Sequence, residues 1–281
     1  MNQELEALIM NASALPTIPL VATKVMQLVE SESTTSEKLS KIVASDPAVA
    51  ARVLKISNSS FYGCQRQIQT LSHAIMILGF STLKSLVVAA SLKQVYKPYG
   101  LTEKMLWEHS FGAGLAARII AEASHLVNAE EAFLGGLFHD IGKIIMNNMD
   151  SKQFQSVMQK CYNDRISFLE AERQVYSYNH AEVGALVIKK WNFPEILMYA
   201  VLKHHTFDFE PDEDLYRIRL ACVVGLANLF CHRVGAGMRE PEDFALHETP
   251  PAIVLDIGEE QLNPLFETFV EAFNRDKGIF S

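Results

Sequence analysis

The sequence predicts an all-α protein. Apolar residues recur at helical spacing almost throughout, helix-start signals punctuate them, and no run alternates in the manner of strands joined by hairpin turns. Thr34 with Glu37 has capping-box spacing, and Asp46-Pro47 places an N-cap before a proline at the first helical position. Asp46 opens AVAARVLKIS, NSSFYG at 58–63 is a turn, Thr70 opens LSHAIMILGF and Ser81 opens TLKSLVVAASL. VVAASL alone would suit a buried strand, but its neighbours favour helix. The break at KPYG, 97–100, separates this helical first part from a second part beginning at Leu101.

In the second part the periodicity predicts helices over about 102–124, 130–149, 151–175, 179–191, 194–205 and 214–234. Asn128 with Glu131 and Asn179 with Glu182 are capping boxes, and Pro194 suits a first helical position. TFDFEPDEDLY at 206–216 is an acidic loop, GAGMREPEDFALHETPP a second loop, and a last helix lies near 259–276. The helices pack in one or two layers.

Composition narrows the function. The chain has 281 residues, 49% of them hydrophobic, which is enough for a substantial core. Its net charge of −8 argues against a general nucleic-acid binder, which needs a basic face. The excess is local: residues 206–281 carry 15 acids and 6 bases, leaving 18 acids and 19 bases in residues 1–205. Four cysteines form no CxxC pair, so reduced thiols in a cytoplasmic setting are expected. No apolar run suggests a membrane span, and MNQELEALIM lacks the basic region of a secretory signal.

Chemistry enters through polar residues on apolar helix faces. His109 shares its face with Leu106, Ala113, Ala116, Ala117 and Ile120. His139 and Asp140 lie among Leu137, Phe138 and Ile141, and His180 among Val183, Gly184 and Val187. His204 and His205 follow Leu197, Ala200 and Val201, and Asn228 lies among Leu220, Ala221, Val224 and Cys231. One such histidine is commonly a core residue bonded to a carbonyl. Five helices each aiming a polar group inward is different, since each group left unpaired costs about 1–3 kcal/mol. A metal ion satisfies imidazole nitrogens and a carboxylate together.

The run His109 … His139-Asp140 … His180 … His204-His205 … Asn228 resembles the HD superfamily of metal-dependent phosphohydrolases. More narrowly, residues 12–235 resemble the HDOD family, the HD-related output domain of bacterial signalling. The resemblance is carried by LPTIPLVATKVMQLV, IVASDPAVAARVLKISNSSFYG, IQTLSHAIMILGFSTLKSLVVAASL and GLFHDIGKIIM. It implies an HD-domain-like helical bundle with an N-terminal helical subdomain. The expected HDOD domain is 12–207, divided into 12–100 and 101–207, with 208–281 as C-terminal helices packing on or extending the HD-like part. It also implies metal ligands at His109, His139 and Asp140, accessory ligands at His180, His204 and His205, and a last ligand position held by Asn228 where the family has Asp. Asp140 and Lys143 are the candidate catalytic residues, Lys143 either meeting a phosphate or snorkelling to solvent.

Asn228 is a neutral, weaker ligand than a carboxylate. Asp140 would then be the one anionic ligand, and two divalent ions would leave +3. One divalent transition ion, iron, zinc or nickel, is therefore expected. The resemblance implies a signalling module with weak or no catalysis, or alternatively a phosphohydrolase of a nucleotide, phosphomonoester or phosphodiester. Partners would be a signalling protein or a small phosphorylated ligand, with neither membrane nor nucleic acid. The loop after His205 lacks the glycine-tyrosine-proline element of cyclic-dinucleotide-cleaving relatives. The GxGxxA string at 112–117 sits inside a helix, so close helix packing is expected in place of dinucleotide binding. Cys222, Cys231 and His232 do not suffice for a zinc knuckle. His73 reads as a boundary residue of the first part, His125 and His247 as solvated, and Met10, Met26, Met76 and Met105 as core filler.

Overall fold

Helices are the sole regular structure among the described residues, as the apolar periodicity requires. The computed structural model describes residues 3–11, 15–16, 18–28, 35–59, 62, 67–96, 100–237 and 240–280. The first part contains α1 (Gln3–Asn11), α2 (Leu20–Leu28), α3 (Ser36–Ala44), α4 (Pro47–Ser57), α5 (Leu71–Leu78), α6 (Phe80–Leu92) and a 3-10 turn at Lys93–Tyr96. The second contains α7 (Leu101–Ser124), α8 (Ala129–Phe138), α9 (Ile141–Met149), α10 (Ser151–Asp164), α11 (Phe168–Val175), α12 (His180–Lys190), α13 (Glu195–Lys203) and α14 (Leu215–Val234). A 3-10 turn at Leu246–Glu248, α15 (Pro250–Leu255) and α16 (Glu259–Phe280) complete the chain.

Capping chemistry sets most boundaries. Asp46 accepts from the amides of Ala48 and Val49, and Thr70 accepts from that of His73. Asn179 and Glu182 form the full reciprocal box. At α8 the box is completed differently. Asn128 accepts from Glu130 and Glu131, but its own amide donates to the Tyr216 hydroxyl, which in turn donates to Glu131. Five starts or interiors differ from expectation. Thr35 caps α3, whereas Thr34 lies outside the described residues. Gly79, at φ 83, ends α5 and starts α6, so Phe80 precedes Ser81 into the helix. Pro194 is the N-cap of α13, one residue before its first turn. The expected 130–149 helix is broken at His139-Asp140, and 151–175 is broken at Arg165, at φ 53, after which Ser167 caps α11. Residues 97–99 of KPYG, Ser60, Phe61 and Gly63 of the NSSFYG turn, Cys64, Met238 and Arg239 lie outside the described residues. Asn58 holds the end of α4 to Ile68 through two 2.7 Å bonds.

α7 is the central element, flanked by α8, α14 and α16, while α9 packs on α12 and α12 on α13. α2 and α4 pack on α6, which lies against α8. Buried apolar side chains form one continuous cluster from Leu5 to Phe273. The glycines of the GxGxxA string serve the expected close packing: a Cβ on Gly114 would lie 3.1 Å from the Phe133 carbonyl, and one on Gly136 would strike the Ala113 carbonyl. Glu130 joins the two parts, pairing with Arg118 at 2.9 Å and accepting from the Thr82 hydroxyl of α6. α1 folds back onto α12, where Lys189 pairs with Glu6 and Lys190 donates to the carbonyls of Ile9 and Met10.

Two further expectations are corrected. Met76 is 80% exposed and Met10 38%, because α5 and α1 bury Ala74, Ile75, Leu5 and Ile9 instead. α14 is long and apolar enough, by length and composition, to cross a membrane, but 61% of that stretch is buried in the protein, as a core helix requires.

Candidate metal centre

The break between α8 and α9 builds the site. His139 and Asp140 leave helical hydrogen bonding there, and the Asp140 side chain caps nothing on α9. It turns inward instead, 2% exposed, to the meeting point of α7, α9, α12, α13 and α14. Gly142 permits this: a Cβ there would strike the His180 carbonyl, so only glycine brings α9 so near α12.

All eight residues singled out by sequence lie at this point. Asp140 Oδ2 is 2.6 Å from Lys143 Nζ, 3.4 Å from His139 Nε2 and 3.5 Å from His109 Nε2. Its Oδ1 is 3.2 Å from His180 Nε2 and 3.9 Å from His204 Nε2. His205 Nε2 is 3.0 Å from His180 Nε2, and Asn228 Oδ1 lies 2.9 Å from His109 Nε2. His205 is half-buried and the other seven are buried. Two groups of donor atoms have spacing suited to an ion, His109 with His139 and Asp140, and Asp140 with His180, His204 and His205. Asp140 belongs to both.

Outer hydrogen bonds orient three of the rings. His139 Nδ1 donates to the Gly136 carbonyl and His204 Nδ1 to that of Val201, each at 2.6 Å. His180 Nδ1 donates to Glu172 at 2.8 Å, and Glu172 also accepts from the His180 amide at 3.0 Å. With Nδ1 protonated, each ring turns the lone pair of Nε2 inward, the arrangement of metal-ligating histidines. Lone pairs then face the Asp140 oxygens with no proton between them, which is repulsive until a cation enters. Asp140 Oδ1 and His204 Nε2 are buried without a hydrogen-bond partner. These orphaned atoms fit a bound ion.

Two residues depart from the sequence reading. Lys143 does not snorkel; it is 3% exposed, pairs with Asp140 and lies 4.2 Å from the Phe168 ring centre. Glu172, fully buried on α11, was not anticipated. Its signal was available: it stands four residues after Phe168 and three before Val175, on the apolar side of its helix. Among the discounted residues, His232 packs its ring 5.7 Å from that of His109 and pairs with Glu242. Burial pushes the Cys222 thiol up to about 12, and Cys222 belongs to neither donor group among the described residues. His125 is exposed at the end of α7; His73, on α5, and His247 are partly buried.

Burial holds the His139 imidazole down to about 4, against the opposing pull of Asp140, and lowers His109, His204 and His205 well below their ordinary value. Burial raises the Asp140 carboxyl, but His139, Lys143, His180 and His109 outweigh it and hold it well below the carboxylate range. The native state thus carries a neutral His139, while the unfolded chain protonates it near pH 6.5. Its contribution to stability is complete above about pH 6.5 and is lost progressively toward pH 4, on the order of 3 kcal/mol for this residue. Chelator-treated protein is expected to melt several degrees lower at pH 5 than at pH 8. A flat thermal profile across that range would contradict the assignment.

A family model described as HDOD domain matches residues 15–207. The chain is similar in structure to an HDOD domain protein with unknown function from Geobacter sulfurreducens, with a TM-score of 0.85 and 23% identity over 99% of this chain and 97% of that one. It is also similar to a Shewanella amazonensis protein named "Putative phosphohydrolase", with a TM-score of 0.73 and 22% identity over 97% and 100% of the two chains. These likenesses bear on the fold. An uncharacterized protein of Treponema pallidum (strain Nichols) is 23% identical over 215 residues, which are 72% of this chain. The match spans 40% of that curated relative. With the family model covering well over half its length, and with the helical architecture of its structural relatives, this chain belongs to the HDOD family.

Proposed function

We propose that this protein is a cytoplasmic regulatory module of bacterial signalling whose HD-like core holds one divalent transition ion and hydrolyses phosphate esters weakly or not at all. The observation that carries this reading is the convergence of five imidazoles on the buried Asp140, whose Oδ1 has no hydrogen-bond partner, as His204 Nε2 has none. Imidazole-rich surroundings favour iron, zinc or nickel over magnesium. Formal charge supports a single ion. Asp140 and Glu172 contribute −2 and Lys143 contributes +1, so one divalent ion leaves +1 and two leave +3, in a buried site. When bound, the ion would tie together the helices that supply its ligands and could lower the pKa of a coordinated water.

The chain's own residues limit catalysis. Asn228 supplies an amide where a carboxylate would orient water, and Lys143 is committed to Asp140. The donors are buried except His205, which is half-buried, and this burial favours a signalling-protein partner acting on the outer surface over a small phosphorylated ligand. The sharing of Asp140 by two donor groups favours a second reading, a phosphohydrolase of a nucleotide, phosphomonoester or phosphodiester.

A panel of phosphatase and phosphodiesterase substrates, run on metal-loaded protein, separates the two. Wild-type rates are expected within tenfold of those of Asp140→Ala, with Asn228→Asp raising them. A wild-type rate a thousandfold above Asp140→Ala would contradict the regulatory reading and establish the enzyme.

A further inference from the structure

The two donor groups that share Asp140 are not equivalent. Spacing does not separate them, because ligands about 2.0–2.1 Å from a tetrahedral ion stand about 3.4 Å apart. On the His109 side the separations are 3.3, 3.4 and 3.5 Å, and on the other side 3.0, 3.2 and 3.9 Å. Hydrogen bonding does separate them. On the His109 side the atoms are engaged by groups that are not proposed ligands, Lys143 donating to Asp140 Oδ2 and Asn228 Oδ1 standing 2.9 Å from His109 Nε2, whereas on the other side the one such bond, between His180 Nε2 and His205 Nε2, joins two donors whose shared proton an entering ion displaces. His109 Nδ1 is buried with no partner, so that ring lacks the outer support given to His139, His180 and His204. On the other side the partnerless atoms are Asp140 Oδ1 and His204 Nε2, both potential ligands. His180 is the ring backed by a carboxylate where His139 and His204 rest on neutral carbonyls, which makes its Nε2 the most basic donor of the three.

We infer that the single ion is held by Asp140 Oδ1 and the Nε2 atoms of His180, His204 and His205, with Glu172 as the positioning residue of His180. Lys143 and Asn228 close the His109 side, the ammonium standing where a second cation would otherwise be needed. This inference rests on the metal-holding reading and adds which side of Asp140 is used.

The test titrates Co2+ and Zn2+ into chelator-treated full-length protein, following heat and the Co2+ visible band. Wild type is expected to bind one equivalent with a four-coordinate band. His109→Ala keeps that band and an affinity within about threefold. His205→Ala lowers affinity at least a hundredfold, and Glu172→Gln lowers it about tenfold to a hundredfold with a shifted band. Lys143→Met combined with Asn228→Asp gains a second equivalent. Should Glu172→Gln fail to fold, His205→Ala, at a half-buried position, carries the comparison. Loss of the ion in His109→Ala with retention in His205→Ala overturns the inference while leaving the metal reading intact. A double variant that stays at one equivalent overturns the role given to Lys143 and Asn228. Absence of binding by wild type overturns the metal reading itself.

Discussion

Asp140→Ala is expected to destabilise the metal-free protein by about 3–5 kcal/mol and to abolish metal binding. The substitution removes the partner of Lys143, whose ammonium is buried and 2.6 Å from Asp140 Oδ2. Removing one member of a buried ion pair leaves an uncompensated charge in a poorly solvating interior, and that desolvation is what costs 3–5 kcal/mol. Against a total stability of roughly 5–15 kcal/mol this is a large fraction. The same physics makes the effect reversible. Asp140→Ala combined with Lys143→Met removes both charges, and the pair is expected to recover most of the lost stability, with a double-mutant coupling of several kcal/mol. Metal binding stays absent in both variants, since Asp140 is the carboxylate shared by the two donor groups. Urea unfolding checks the energetics. A single variant within 1 kcal/mol of wild type would show that Lys143 escapes to solvent.

Gly142→Ala is expected to cost about 3 kcal/mol and to weaken metal binding without touching a ligand. A Cβ at this position would strike the carbonyl of His180 and approach the Gly184 amide, both backbone atoms that no rotamer change can move aside. α9 must then shift away from α12, and overpacking of this kind costs about 1–3 kcal/mol and occasionally more. The shift carries Asp140 and Lys143, at the start of α9, away from His180, at the start of α12. Gly258→Ala is the control, since nothing lies within 4 Å of a Cβ placed there, and its effect should stay within about 0.5 kcal/mol. Equal melting curves for the two variants would contradict the close approach.

The helices themselves were legible because their signals are local. Asp46, Thr70 and Asn179 cap helices through side-chain bonds to amides two or three residues away. The convergence of His109, His139, His180 and His204 was legible for a related reason: each sits on an apolar helix face, and apolar faces meet. What was not legible depends on contacts distant in sequence. The break at His139-Asp140 carries no proline and lies beside the close approach of Gly142 to the His180 carbonyl, a contact distant in sequence. Lys143 could be placed inside only once Asp140 was known to turn inward, and Glu172 only once α11 was known to lie beside the start of α12. Met76 was misread because an apolar residue on a short helix does not reveal which side faces the core.

An ion belongs among these rings if their inward lone pairs and the buried carboxylate are to be satisfied together. Elemental analysis of protein purified without chelator, alongside the same preparation of Asp140→Ala, decides the matter. Close to one equivalent of iron, zinc or nickel per wild-type chain is expected, and none in the variant. Wild-type protein that is folded, metal-free and indifferent to added Zn2+ would contradict the metal centre.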